Sequence, residues 1–450
     1  MEKASRPGKA KARVTKARVS AARLAALKAI KQVFAGQSLS AVQPHSIDLL
    51  EDNRDRGLAN EIVNGVLRWR WQLEYFISRL MAKPLKPKDV DIQLILMMAI
   101  YELTECRTPD YAIINEAVEL VRASGKKWAA SLVNAVLRNF TRDREALLTS
   151  IDEDAVRYSH PTWILQKIKH DWPEHWQQIV TANNQRPAFW LRVNQRQYET
   201  TQYRQLLSEN NVESEPSALA DHALKLSHGV DVRTLPGFAA GAVSVQDAGA
   251  QLSAALLDVH DGQRVLDLCA APGGKTCHLL ERYKVQGRLL AIEVDANRMS
   301  RVSENLQRLK LEAALKVADA RDYQQWWDGV YFDRILIDAP CSASGVIRRH
   351  PDIKTLRRES DLPPLVELQA QIIYSAWQML APGGELLYVT CSIFRDENEQ
   401  QIARFLAQHD DAAEIEIPAN WGLPCKYGRQ LLPGEQDADG FYFCRLQKQG

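Results

Sequence analysis

Residues 265–276 read VLDLCAAPGGKT. An apolar run breaks into a Gly-Gly loop with Lys275 and Thr276 behind it. Two kinds of nucleotide-binding loop begin this way. The ATP loop follows the pattern G-x-x-x-x-G-K-[ST]. Gly274, Lys275 and Thr276 match its end, but Cys269 stands where the opening glycine belongs. A side chain there opposes the wrap of backbone around phosphates. The stretch is therefore read as a strand over 265–268, a loop whose glycines let a cofactor approach the backbone, and a helix starting near Lys275. Alone the loop is a weak signal, and the sequence after it decides the fold.

Strand-like apolar runs recur downstream: LLAIEVD (289–295), LKVAD (315–319), RILIDAP (334–340), ELLYVTCS (385–392) and GFYFCRL (440–446). Helical patterns separate them. This alternation predicts a doubly wound, largely parallel α/β sheet, Rossmann-like, over 236–450. Residues 20–145 read as all-α: Ile92, Ile95, Leu96, Ala99, Ile100 and Leu103 recur at helical spacing, as do Val63, Val66, Leu67, Leu73, Phe76, Ile77 and Leu80. Such stripes are read as core. The run Arg68-Trp69-Arg70-Trp71 is where an RNA-contacting reading competes with that one. Between the two, over 146–235, HPTWILQKI and QRPAFWLRVN mix aromatic, proline and basic residues, and a smaller connecting domain of α+β character is expected.

Composition narrows the class. With 46% apolar and 25% charged residues the chain is an ordinary globular protein. Its longest apolar run, LILMMAIY (94–101), is too short to span a bilayer. No N-terminal signal segment is evident, and the seven cysteines form no CxxC pair. The scattered cysteines point to a reducing cytoplasm and away from a structural zinc site or a secreted disulfide scaffold. Net charge is only +1, yet residues 1–18 carry Lys3, Arg6, Lys9, Lys11, Arg13, Lys16 and Arg18 against Glu2 alone. That tail, taken as 1–19, is either a solvated, disordered extension or an arm for nucleic acid.

In a doubly wound sheet, ligands bind beyond the C-terminal ends of the strands. The first strand leads into the Gly loop. The second ends in Glu293, placed to accept from ribose hydroxyls, and the third in Asp319, suited to an adenine amino group. The fourth ends in Asp338-Ala339-Pro340-Cys341 and the fifth in Thr390-Cys391-Ser392. Each acid alone reads as a helix cap or surface charge. Their succession at strand ends implies an adenosine-containing cofactor. Cys269, Cys277, Cys425 and Cys444 read as small buried hydrophobes. Cys341 and Cys391 leave strand ends on the ligand face, as a redox pair, metal ligands or covalent catalysts. Metal is disfavoured because no histidine accompanies them at ligand spacing. One reaction needs a sulfonium cofactor and a thiolate together: methylation of cytosine at carbon 5. A thiolate adding to carbon 6 makes carbon 5 nucleophilic. An acid such as Asp338 would hydrogen-bond the N3 and amino edge of the base, which must leave its stack to reach the pocket.

The stretches VLDLCAAPGGKT, ILIDAPCSASGVIRRHPD and LLYVTCSI resemble the signature motifs of the RNA (cytosine-5) methyltransferases that use S-adenosylmethionine. Residues 20–145 resemble the helical RNA-binding domain of the NusB type. The resemblance covers the chain after its basic tail. It implies a multi-domain protein: an all-α NusB-like domain and an α/β Rossmann-like class I methyltransferase domain. It implies Cys391 as the nucleophile and Cys341 as the thiol that assists release of the covalent adduct. It also implies a cofactor site lined by Cys269, Ala270, Ala271, Pro272, Gly273, Gly274 and Lys275 with Glu293, Asp319 and Asp338. Position 293 is often Asp in relatives, and Glu serves the same hydroxyls. The implied substrate is 16S ribosomal RNA, naked or in a partly assembled small subunit, at the cytosine of position 967. No metal or membrane is involved and a monomer is expected. Competing readings are a binding module with a degenerate methyltransferase fold, a DNA cytosine-5 methyltransferase, and a relative acting on transfer or large-subunit RNA. The intact set Lys275, Glu293, Asp338, Cys341 and Cys391 opposes the first, and the helical domain and Thr-Cys motif oppose the second.

Overall fold

A computed structural model describes residues 19–285 and 287–450. The basic tail, up to residue 18, lies outside the described residues. The chain divides into two compact units between Ser159 and His160.

The first unit is helical. Its main helices are α1 (Ala21–Phe34), α2 (Asn53–Leu80), α3 (Val90–Glu105), α4 (Asp110–Ala123) and α5 (Ala130–Thr149). Side chains start the first two: Ser20 accepts from the Arg23 amide and Asp52 from the Arg54 amide. The apolar run that the sequence shows over 94–101 is the middle of α3, buried on every side. A helix apolar all round belongs in the centre of a bundle, and α3 packs against α1, α2, α4 and α5. Arg23 of α1 and Glu102 of α3 form a buried ion pair that ties the two helices together. The Arg68–Trp71 run is largely taken up by internal packing. Arg68 is buried, Trp69 breaks the helical dihedrals of α2, and Arg70 lies over the Phe34 ring and bonds Glu74. The unit runs on past residue 145: the single turn Asp154–Arg157 packs on α2.

The second unit opens with helices α6 (Thr162–Asp171) and α7 (Trp176–Asn183). A small antiparallel sheet follows, built from β1 (Phe189–Val193), β2 (Ser214–Pro216), β3 (Ala223–Leu226) and β4 (Val243–Val245) in the order β2-β3-β1-β4, with helix α8 (Thr200–Glu209) after β1. The strand β4 lies beyond the expected boundary at 235 and pairs with β1 through Leu191 and Val245. The connecting region and the catalytic region thus fold as one unit.

The large sheet follows helix α9 (Ala248–Leu257). In chain order come β5 (Val265–Leu268), α10 (Gly274–Arg282), β6 (Leu289–Glu293), α11 (Ala296–Leu309), β7 (Ala314–Val317), β8 (Phe332–Asp338), α12 (Leu362–Met379), β9 (Leu380–Thr390), α13 (Glu399–Leu406), β10 (Ala412–Ile415), β11 (Leu423–Pro424), β12 (Arg429–Leu431) and β13 (Phe441–Lys448). Its order is β11-β12-β13-β9-β8-β5-β6-β7, with β10 beside β13. The strands from β7 to β9 are parallel, and β13 runs antiparallel to β9. Side chains alternate between two cores. Leu336, Leu387 and Val389 face one; Leu266, Leu268, Ile335, Ile337 and Tyr388 face the other. Burial on both faces is why these strands read as unbroken apolar runs. The order reverses at β5, which pairs β6 on one side and β8 on the other. That reversal opens the crevice where such sheets bind ligands.

Candidate active site

The loop after β5 begins at Cys269, whose φ of 62° puts it in the left-handed region that a residue with a Cβ adopts only under constraint. Gly273, at φ 93°, caps α10. Inside β5, Asp267 is fully buried. Its Oδ2 accepts from Thr276 Oγ1 at 2.5 Å, while its Oδ1 has no partner among the described residues. Burial pushes this carboxyl up to about 7. Burial likewise pushes the Cys269 thiol up, away from any nucleophilic state.

At the end of β6, Glu293 is 2% exposed. Its Oε2 accepts from the Ala271 amide at 3.3 Å, and its Oε1 accepts from the Asp295 amide at 3.2 Å and from Arg298 at 3.4 Å. Arg298 also donates to the Ala271 carbonyl at 3.1 Å. Glu293 therefore fixes the glycine loop as well as standing at its rim. Asp319, beyond β7, is more open. Its carboxylate receives a two-pronged bond from Arg321, with Nη2 at 2.6 Å, and this holds its carboxyl below the usual range. Part of its accepting capacity is thus met by its own chain, a pairing the sequence did not announce.

Asp338 ends β8, and the Lys275 ammonium lies 2.7 Å from its Oδ2. Burial would lower that ammonium, but Asp338, together with Cys391 and Asp267, outweighs it and the net shift is upward. Cys341 follows β8 and Cys391 follows β9, neighbouring parallel strands. Their sulfurs lie 3.4 Å apart. The hydrogen bond to Cys391, and then burial, hold the Cys341 thiol well above its ordinary value. Glycine keeps these two loops close: the Gly345 amide donates to the Cys391 carbonyl at 2.9 Å, and a Cβ on Gly345 would come within 2.3 Å of the Gly440 carbonyl oxygen.

Residues 254–447 match the family model for the 16S rRNA methyltransferases RsmB/F, residues 20–142 the NusB family, and residues 160–233 the ferredoxin-like domain of RsmF/B-like methyltransferases. The chain belongs to the RsmB/F methyltransferase family. It is 46% identical to the ribosomal RNA small subunit methyltransferase B of Pseudomonas putida, over 94% of this chain and 98% of that protein. The Vibrio cholerae protein of the same name is 47% identical over 94% of this chain and 97% of its own. Among solved structures, a methyltransferase homolog from Pyrococcus horikoshii covers 65% of this chain and 97% of its own at 26% identity and a TM-score of 0.58. The crystal structure of PH0851 shares the fold over 96% of this chain and 100% of its own, at 23% identity and a TM-score of 0.79.

This methyltransferase uses S-adenosylmethionine, which when bound supplies an electrophilic methyl group. The crevice fits that molecule: acids stand at successive strand ends, the loop backbone is fixed by Glu293, and Asp267 keeps an unmatched carboxylate oxygen inside β5. No cluster of side chains suited to a metal ion occurs among the described residues, and no described helix is long and apolar enough to cross a membrane.

Several residues of the site were not singled out from sequence. Asp267 carried a signal, as the one acid inside an apolar strand. Ser342, Ser392 and Glu397 did not. Glu397 is completely buried between the two thiol loops, although it lies in the polar stretch Asp396-Glu397-Asn398-Glu399. Trp172 donates to the Ile393 carbonyl at 2.7 Å, so the connecting region also steadies the Thr-Cys loop.

Proposed function

We propose that the enzyme methylates carbon 5 of a cytosine in 16S ribosomal RNA, with Cys391 as nucleophile and Cys341 as the release thiol. The resemblance of its motifs points to position 967. The observation that carries this reading is the pair of sulfurs 3.4 Å apart beside the Lys275–Asp338 ion pair. Cys391 attacks carbon 6, forming a C–S bond, and the electrons of the 5,6 double bond make carbon 5 nucleophilic toward the methyl group. The positive charge of Lys275 acts on Cys391, and Asp338 receives the N3 and amino edge of the base. After transfer a water molecule takes the carbon-5 proton, the electrons of that C–H bond re-form the 5,6 double bond, and the C–S bond breaks with its electron pair on sulfur. The leaving sulfur takes up a proton, and Cys341, held in its thiol form, is beside it to give one. In the cofactor crevice, the loop from Cys269 to Lys275 approaches through its backbone and Glu293 meets the ribose, with Asp319 toward the adenine. The substrate is RNA that is naked or partly assembled, since a flipped base needs an accessible loop. The enzyme acts as a monomer in the cytoplasm.

The test is a denaturing gel after mixing protein, labelled unmodified 16S RNA and S-adenosylmethionine. Cys341→Ala is expected to accumulate a covalent protein–RNA band. Cys391→Ala should form none and transfer no methyl, while binding the cofactor normally by calorimetry. A band with Cys391→Ala alone would reverse the two roles. No band with any variant would point to transfer or large-subunit RNA, or to a binding module.

A further inference from the structure

We propose that Glu397 is a positioning residue whose carboxylate holds the two thiol loops in register, so that Cys341 can act on the adduct Cys391 forms. The inference rests on the thiol roles proposed above. Ser342 directly follows Cys341, and Ser392 directly follows Cys391. Glu397 grips both. Its Oε1 accepts from the Ser342 amide at 2.8 Å and from Gln369 Nε2 at 3.1 Å; its Oε2 accepts from the Ser342 and Ser392 hydroxyls, each at 2.5 Å. Gln369 also donates to the carbonyl of Pro340, the residue before Cys341, at 2.9 Å. Ser344 closes the array: its hydroxyl lies 3.0 Å from that of Ser392 and accepts from the Ile393 amide at 3.0 Å.

The chemistry of this arrangement is specific. A carboxylate is acceptor-only, with room for about four donors, and four are supplied from three segments that are distant in sequence. Among the described residues no cation pairs with Glu397, so its burial is matched by hydrogen bonds alone, and its carboxyl is pushed upward chiefly by that burial. Because it only accepts, it obliges the Ser342 and Ser392 hydroxyls to aim their protons inward, which fixes both side chains and the loops that carry them. A glutamine of equal size would turn one accepting oxygen into a donor, facing either the two serine hydroxyls or the Ser342 amide and Gln369, so that one pair of donors loses its acceptor. The thiol separation depends on these loops, and sub-ångström displacement of reacting groups costs rate steeply.

The experiment compares wild type, Cys341→Ala, Glu397→Gln, Ser342→Ala and Ser392→Ala on unmodified 16S RNA, scoring covalent adduct, kcat, KM for S-adenosylmethionine and thermal midpoint. For Glu397→Gln, kcat is expected to fall about tenfold or more with KM for the cofactor unchanged, and adduct should accumulate toward the Cys341→Ala level. The serine variants should show the same pattern more weakly. Turnover at the wild-type rate without adduct in Glu397→Gln would overturn the inference. So would a joint loss of cofactor affinity and thermal midpoint without adduct, which is the signature of a merely structural residue. Absence of adduct in Cys341→Ala itself would instead bring down the thiol roles, and this inference with them.

Discussion

The acid inside β5 is the residue with the clearest pH signature. Asp267 has a carboxyl pushed from 3.8 to about 7, first by burial and then by Asp338, with Thr276 acting the other way. A carboxyl whose folded value is raised binds its proton more tightly folded than unfolded. Its contribution to stability is therefore fully present below about pH 4 and is lost as pH rises through about 7. In Asp267→Asn the amide oxygen can still accept from Thr276, and no ionisation remains. The stability difference between wild type and variant, from denaturant melts, should shift against wild type between those two pH values; a difference flat with pH would mean Asp267 is not so buried in solution. This residue was not singled out from sequence, although its signal, a lone acid in the apolar strand VLDL, was there. Glu397 gave no such signal. Its partners Ser342 and Gln369 are far away in sequence, and a buried carboxylate in a polar stretch looks the same as an exposed one.

At the level of elements, two glycines mark close approaches with different consequences. A Cβ on Gly65 of α2 would lie 1.9 Å from the ring of Tyr101 on α3, inside the helical unit. A Cβ on Gly345 would strike the Gly440 carbonyl at 2.3 Å and the Cys391 carbonyl at 2.9 Å, between the thiol loops. Overpacking of this kind costs about 1–3 kcal/mol. Gly65→Ala should lower the thermal midpoint by that measure and leave kcat at saturating RNA intact. Gly345→Ala should lower kcat on the same RNA out of proportion to its stability loss, because it spreads Cys391 from Cys341. Equal effects on kcat would contradict this division. The elements themselves were largely readable. Doubly covered parallel strands announce themselves as apolar runs, and α3 through the apolar run 94–101 at its middle. What escaped were elements too short to show a period: the strand Val243–Val245, which carries the small sheet past 235, and the turn Asp154–Arg157, which keeps the first unit going past 145. The close approaches escaped too, since a glycine does not name the distant atom it makes room for.

For the whole molecule, the charge balance sets how RNA is held. A net charge of +1 gives little general attraction to a polyanion, so affinity must come from local concentrations of cations. The strongest in the sequence is residues 1–18, with seven lysines and arginines against one glutamate. Each cation that neutralises a phosphate releases counterions and adds roughly 0.7–0.9 to the slope of log affinity against log salt. If the tail is an RNA arm, deleting residues 1–18 should weaken binding to unmodified 16S RNA strongly at low salt and flatten that slope by several units. The two proteins should converge as salt is raised, because screening removes what the arm adds. Turnover at saturating RNA should not change, since none of the residues assigned to the thiol chemistry or the cofactor lies in 1–18. Filter binding over a salt series reads both quantities. A slope untouched by the deletion would make the tail a solvated extension, and would move the search for phosphate contacts onto the folded units.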